Sequence, residues 1–385
     1  MKTSVLLLIS LFALRLWGIL PIPGFLLIVI FILLSWKSVF KESLFRWPIV
    51  LLIFFIVINS VSSTYLRNQS FVDSFKQASP YMMIISYFFY MGKRIRVNQL
   101  EELLFCLLMI FDVGYLVQFL LYPNVVIFPG AAVKYLGDVR IRIDGQCICS
   151  LGYFFCISKF LLDERKKNYL LWAALSFFVI FLWGFRSILA VNILFTLFMV
   201  YKSKGLGKLF YWGIFVSIVL AILMFLPIVQ DKIGSMMQRQ ARGDTITNSD
   251  YIRVIVFDYF MNDHFKSSLE YFLGSGLPDG HSVYSRDIRY MEEHGRNWND
   301  WGLLGLSWLL GVPAILTMVY YSLKAGIVKI NKDYYYVKYW FIFMLCTSLF
   351  SAEFIRTGSF IIQGIALAIV NKAYNENRHI DISQN

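Results

Sequence analysis

Long apolar runs follow one another along most of this chain, divided by short connections that carry most of its charge. A helix crossing a bilayer needs roughly 20 mostly apolar residues, and about 17 suffice where flanking side chains snorkel. Runs of this kind lie at 4–20, 24–36, 47–61, 78–92, 100–122, 147–162, 169–183, 187–201, 209–229, 301–321, 336–350 and 357–370, the second being the shortest. The pattern predicts an all-α polytopic integral membrane protein with about 12 transmembrane helices. A single long polar stretch, from Asp231 to about Asn299, interrupts it. The chain therefore divides into nine spans over 1–229, a large loop over 230–299, and three spans with a tail over 300–385.

Within the loop, 250–272 presents a helical apolar face of Tyr251, Val254, Ile255, Tyr259 and Phe260. Ser249 or Asp250 can cap its start and Gly274 can end it, so an interfacial helix is expected there. From Leu277 to Asn299 no period is evident, and an irregular segment is expected. At the N-terminus, Met1-Lys2 precedes an apolar run that Arg15 interrupts and that no small-x-small cleavage site follows, which predicts an uncleaved first span. Arg15 and Asp112, both inside apolar runs, are read either as pairing within the bundle or as snorkelling or hydrogen-bonding internally.

Composition agrees with the pattern. The chain is 58% hydrophobic and only 16% charged, with a mean hydropathy of +0.63, against roughly 25% charged in soluble proteins. Its 36 Phe and 23 Tyr supply rings for interfacial belts. The five cysteines (Cys106, Cys147, Cys149, Cys156 and Cys346) lack zinc-ligand spacing and read as small packing residues. A net charge of +12 would suggest nucleic acid in a soluble protein. Here the cations flank apolar spans, where they are first of all topology signals, so no nucleic-acid partner is expected.

Alternate connections are basic: Lys37, Lys41 and Arg46; Lys93, Arg94 and Arg96; Arg165, Lys166 and Lys167; Lys202, Lys204 and Lys208; Lys324, Lys329 and Lys332; Lys372 and Arg378. By the positive-inside rule both termini are then cytoplasmic and the long loop lies outside. The two cations also separate by type. The inner connections are mostly lysine, whereas the outer set is mostly arginine: Arg67, Arg140, Arg142, Arg186, Arg356 and, in the loop, Arg239, Arg242, Arg253, Arg286, Arg289 and Arg296. Arginine offers a planar fork of donors that matches phosphate or carboxylate, so an anionic ligand is expected on the outer face. Unless they meet such a ligand, these arginines are simply solvated.

No phosphate-binding P-loop, His-Glu-x-x-His zinc pattern or Gly-x-Ser-x-Gly elbow occurs. Leu273-Gly274-Ser275-Gly276 is too short for a dinucleotide fingerprint. No cofactor is expected, and any reaction must use a substrate that arrives activated. Four motifs together resemble the O-antigen polymerase and O-antigen ligase superfamily. Gly184-Phe185-Arg186-Ser187 is similar to its Ser-Arg-type outer turn. Tyr251-Ile252-Arg253 with the following Leu273-Gly274-Ser275-Gly276 resembles its loop arginine and Gly-x-Gly. Asn299-Asp300-Trp301-Gly302-Leu303-Leu304-Gly305 resembles its acidic-x-Gly-Leu-x-Gly start of the next span, and Arg142-Ile143-Asp144-Gly145 fits a further pattern before a span. The motifs are short, and their order, spacing and common outer placement carry the likeness. The His-Asn pair of the ligases is missing: Ser282 follows His281 and Gly295 follows His294. That departure favours the O-antigen polymerase family over the ligases.

The resemblance implies a GT-C-like membrane glycosyltransferase of the bacterial inner membrane. Its substrates would be oligosaccharide repeats linked to undecaprenyl pyrophosphate, joined on the periplasmic face, with a chain-length-regulating co-polymerase as partner. Arg186, Arg253, Arg142 and Arg356 would hold the pyrophosphate while charge develops on it. His294, His281 and Asp300 are the candidates for handling the acceptor hydroxyl, with Asp279 and Glu292 behind them. Trp298, Trp301, Tyr284 and Tyr290 are candidates for stacking on sugars or for the interfacial belt. A lipid-linked oligosaccharide flippase is the rival from another class. It would carry its charge inside the spans, whereas here the charge lies between them.

Overall fold

A computed structural model of the chain describes residues 2–14, 24–128, 132–135, 139–223, 225, 227–241, 251–349 and 351–384. Helix occupies most of the described residues in each of the twelve apolar stretches. The strands among the described residues form one two-stranded antiparallel ribbon, Ala132–Tyr135 with Val139–Arg142. The fold class is therefore all-helical, apart from this hairpin just before Cys147–Leu162.

Two helices form the middle of the bundle. Residues 359–371 of the helix Ser359–Gln384 are buried on every side, as are 147–158 of Cys147–Leu162. A helix apolar all round has no face to offer water and sits in the core. The helix Arg46–Arg67 is built the opposite way. Trp47, Leu51, Phe54, Val61 and Tyr65, at helical spacing, are the exposed side, while Asn59, Ser60, Ser63 and Arg67 point into the protein. An apolar outer stripe with polar groups inside suits a lipid surround.

Among the described residues three helices, Arg46–Arg67, Val97–Leu120 and Arg186–Gly207, are long and apolar enough to cross a membrane. Several other expected spans are interrupted, for identifiable reasons. The 301–321 run divides at Gly311 into Gly302–Leu310 and Val312–Ile327, because loop residues 273–276 pack into the break. The 78–92 run divides around residues 83–85 into Phe71–Met82, which contains Pro80, and Ser86–Tyr90. The runs at 187–201 and 209–229 are parted by a non-helical Gly205. Arg15, Arg242, Ser249, Asp250 and the end of the first expected span at residue 20 lie outside the described residues. Asp112 finds its partner in the Ser176 hydroxyl at 2.5 Å.

The connections gather at two ends. At one end Lys159 pairs with Glu101 at 2.8 Å, Tyr336 donates to Glu101 at 3.0 Å and Lys204 pairs with Glu164 at 2.7 Å. Thr3 donates to Glu102 there, and Lys372 to the carbonyls of Met91 and Gly92. Thr3 in the first helix and Lys372 in the last therefore adjoin the lysine-bearing connections. At the other end the 67–70 turn meets the long loop, the 145 turn meets Thr357, and Leu303 meets Ser348.

Candidate functional site

The loop is fastened before it can hold anything. Arg67 grips Glu270 with both arms of its fork, at 2.6 and 2.8 Å, and gives a third bond of 2.5 Å to the His264 carbonyl. Both side chains are buried, and removing one partner of such a pair costs about 3–5 kcal/mol. His264 Nε2 lies 2.9 Å from the Ser275 hydroxyl, which also accepts from Tyr284 at 2.8 Å. Gln69, equally buried, donates to the Leu277 carbonyl at 2.7 Å and accepts from the Asp279 amide at 2.9 Å. The Asp279 carboxyl sits below its usual range, because the His281 amide and the Gln77 side chain both donate to it.

These fastenings correct several expectations. The single helix expected over 250–272 is two helices, Ile252–Asp258 and Ser268–Leu273, with a wider turn over Tyr259–His264 between them. The His264 carbonyl goes to Arg67 and the Lys266 amide to Glu270 at 2.7 Å, so the regular ladder cannot continue. The segment expected to be irregular contains the helix Ser285–Glu293, whose inner side is Ser285, Ile288 and Met291. Gly274-Ser275-Gly276 is a packing device. Gly274 and Gly311 touch backbone to backbone, both with positive φ (79° and 90°), and Asn59 donates to the carbonyls of Leu273 and Leu309 at 2.6 and 2.8 Å.

The candidate histidines stand apart from this interior. His281 is exposed, and its backbone amide caps Asp279. His294 is exposed too; its Nδ1 lies 2.7 Å from the Tyr290 carbonyl and its ring 4.4 Å from that of Tyr290. Tyr284 is buried, with its hydroxyl committed to Ser275 and the Gly276 carbonyl, which removes it from the sugar-stacking set. Trp298 donates to Glu292 at 3.2 Å. Trp301 packs against Phe257 at 5.4 Å. Tyr290 keeps an open face.

The candidate arginines are brought together in part. Arg142 lies over the Phe185 ring at 5.4 Å, which joins its turn to that of the exposed Arg186. The same turn reaches a third: the Gly145 amide donates to the Thr357 carbonyl at 2.9 Å, and Gln146 donates to Glu353 at 2.7 Å. Arg356 gives Glu353 a 3.0 Å ion pair. Arg142, Arg186 and Arg356 thus belong to one group of three turns. Arg253 is half-buried one step away. Its carbonyl accepts from the Trp301 indole at 2.9 Å, and the adjoining Leu303 amide donates to Ser348, just before the third turn. Asp300 lies in the short turn Trp298–Trp301, half-buried, beside the Arg253 segment.

Glu353 is the residue that reading the sequence missed. It is 2% exposed, its Oε1 serves both Gln146 and Arg356, and its Oε2 has no hydrogen-bond partner, nor has Arg356 Nε. A buried carboxylate oxygen without a donor is costly unless something else supplies one. The available signal was a pair of opposite charges three residues apart, Glu353 and Arg356, in an apolar stretch. Arg67 and His264, present in the sequence but not ranked as site residues, prove to be the loop's anchor. Among the described residues no three His, Cys, Asp or Glu side chains come together as metal ligands.

No protein-family model matches the chain, and no match is found among curated proteins. The residues and their geometry alone carry the functional argument.

Proposed function

We propose that this chain is a polytopic membrane glycosyltransferase, an O-antigen polymerase with about 12 spans in the bacterial inner membrane. The observation that carries the reading is the meeting of the Arg142, Arg186 and Arg356 turns around the buried Glu353. In this reading both termini are cytoplasmic and the loop is periplasmic, supported by the gathering of the lysine connections at one end and the arginine turns at the other.

The donor is an oligosaccharide chain on undecaprenyl pyrophosphate and the acceptor one repeat on the same lipid. An acceptor hydroxyl attacks the anomeric carbon, the carbon–oxygen bond to pyrophosphate breaks, and the lipid pyrophosphate leaves. Negative charge grows on the leaving group, where Arg142, Arg186 and Arg253 serve as donors. Arg356 has a different part, because its charge is already turned to Glu353. For the hydroxyl proton the reading favours Glu353, with Asp300 behind it, over His281 and His294. Its second oxygen is buried and unpartnered, whereas the histidines lie on the exposed side of the loop.

Deleting the gene and examining surface polysaccharide on a gel tests the reading. A polymerase deletion leaves lipid A core with one repeat. A ligase or flippase deletion leaves none, and an unchanged ladder removes all three. Arg142→Ala and Arg186→Ala are each expected to reduce chain growth about a hundredfold or more while the protein still inserts. Long chains from either variant would remove that residue from the site.

A further inference from the structure

At the end of the bundle that carries the lysine connections lies a cavity of about 510 Å³. Three separate parts of the chain build its wall: the 38–43 connection, the 91–98 connection and the last helix at 372–376. They set Lys41, Lys93, Arg96 and Lys372 around one space, four cations against the two carboxylates of Glu42 and Glu376. Lys372 is held in position by the carbonyls of Met91 and Gly92, at 3.3 and 3.2 Å. Lys41, Lys93 and Arg96 form no ion pair with another described residue. Val97 and Asn98 belong to the same wall and begin a 24-residue helix, so the positive end of that helix adds to the field.

Aromatic rings mark the depth of this cavity. Trp36 and Phe40, at the end of the helix entering the 38–43 connection, are each 58% exposed, and Trp47 just beyond it is 64% exposed. Arg46 lies over the Trp47 ring at 5.2 Å. Exposed tryptophans of this kind gather at the level of lipid headgroups. A concave, positively charged space at that level fits a headgroup phosphate, with Ser38 and Asn375 in the wall as further polar groups.

We infer that this cavity binds the phosphate of an anionic lipid headgroup. The site is distinct from the arginine turns and does not depend on the glycosyl-transfer reading; it requires only that the chain lies in a bilayer. Its ligand is a resident of the membrane, recognised by charge and by the shape of the headgroup.

The full chain is purified into nanodiscs of phosphatidylcholine with or without phosphatidylglycerol, and retained lipid is counted by native mass spectrometry. Wild type is expected to retain phosphatidylglycerol selectively. Lys93→Gln/Arg96→Gln, at two exposed positions outside the core, is expected to weaken retention about tenfold or more. Lys329→Gln/Lys332→Gln, in a basic connection outside the cavity wall, is expected to leave retention unchanged. Equal retention by both double variants, equal loss in both, or equal retention of phosphatidylcholine would overturn the inference. In a second arm, inorganic phosphate is added to the detergent-solubilised chain. Thermal protection by phosphate as strong as by phosphatidylglycerol would overturn the assignment to a lipid.

Discussion

His264 sits 3% exposed between the Ser275 hydroxyl and the aromatic rings of Phe260 and Tyr284. Burial, then the charges of Arg67 and Lys266, pushes its pKa from 6.5 down to about 3. It is therefore neutral in the folded loop and cannot carry protons near neutrality. In the unfolded chain it binds a proton below 6.5, so its contribution to stability is complete above that pH. The contribution is lost as pH falls toward 3, by at most about 1.4 kcal/mol per unit. Thermal unfolding in detergent should thus show a larger loss between pH 6.5 and about pH 5 in wild type than in His264→Gln. Equal losses would mean that His264 is accessible to water. None of this was legible in the residue itself. Arg67 and Glu270 are 203 positions apart, and no periodicity links them, so the arginine looked like one more solvated cation. Glu353 was hidden for the same reason: its meaning depends on Gln146, which a distant turn delivers.

The elements were easier to read than their ends. Apolar helices are legible because a bilayer demands long apolar runs, and most of the described residues in each stretch are helical. Their breaks come from tertiary contacts that apolar counting cannot contain, as where the loop enters the 301–321 run at Gly311. The helix Ser285–Glu293 was missed because only Ile288 and Met291 mark its apolar side. The clearest element-scale prediction concerns Gly274. A methyl group there would collide with the Gly311 amide and the Leu309 carbonyl, on a backbone whose φ of 79° already disfavours a side chain. Gly274→Ala is expected to cost about 2 kcal/mol or more and to undock residues 251–301 from the bundle. Limited proteolysis should then cut the loop first and leave the helices intact. A cleavage pattern like that of wild type would show that the contact is slack.

Across the whole molecule, the separation of lysine and arginine connections to opposite ends makes a topology that chemistry can test. His281→Cys and Lys93→Cys, both at exposed positions, would be labelled in intact cells with a membrane-impermeant maleimide, against the parent background that includes the exposed Cys346. The first is expected to react directly and the second only after permeabilisation. Reaction of both, or the reverse order, would refute the orientation proposed. The inside-out helix Arg46–Arg67 carries a further consequence, in the time of synthesis. Asn59 waits for the carbonyl of Leu309, 250 residues later, and Arg67 for Glu270. At about 5–20 residues per second the ribosome needs roughly ten to fifty seconds to deliver those partners. Throughout that interval the polar side of the helix has to be kept from lipid, where each unsatisfied group costs several kcal/mol. The earliest helices of this chain therefore need shelter, in the insertion machinery or against one another, and the rate of translation sets how long they need it.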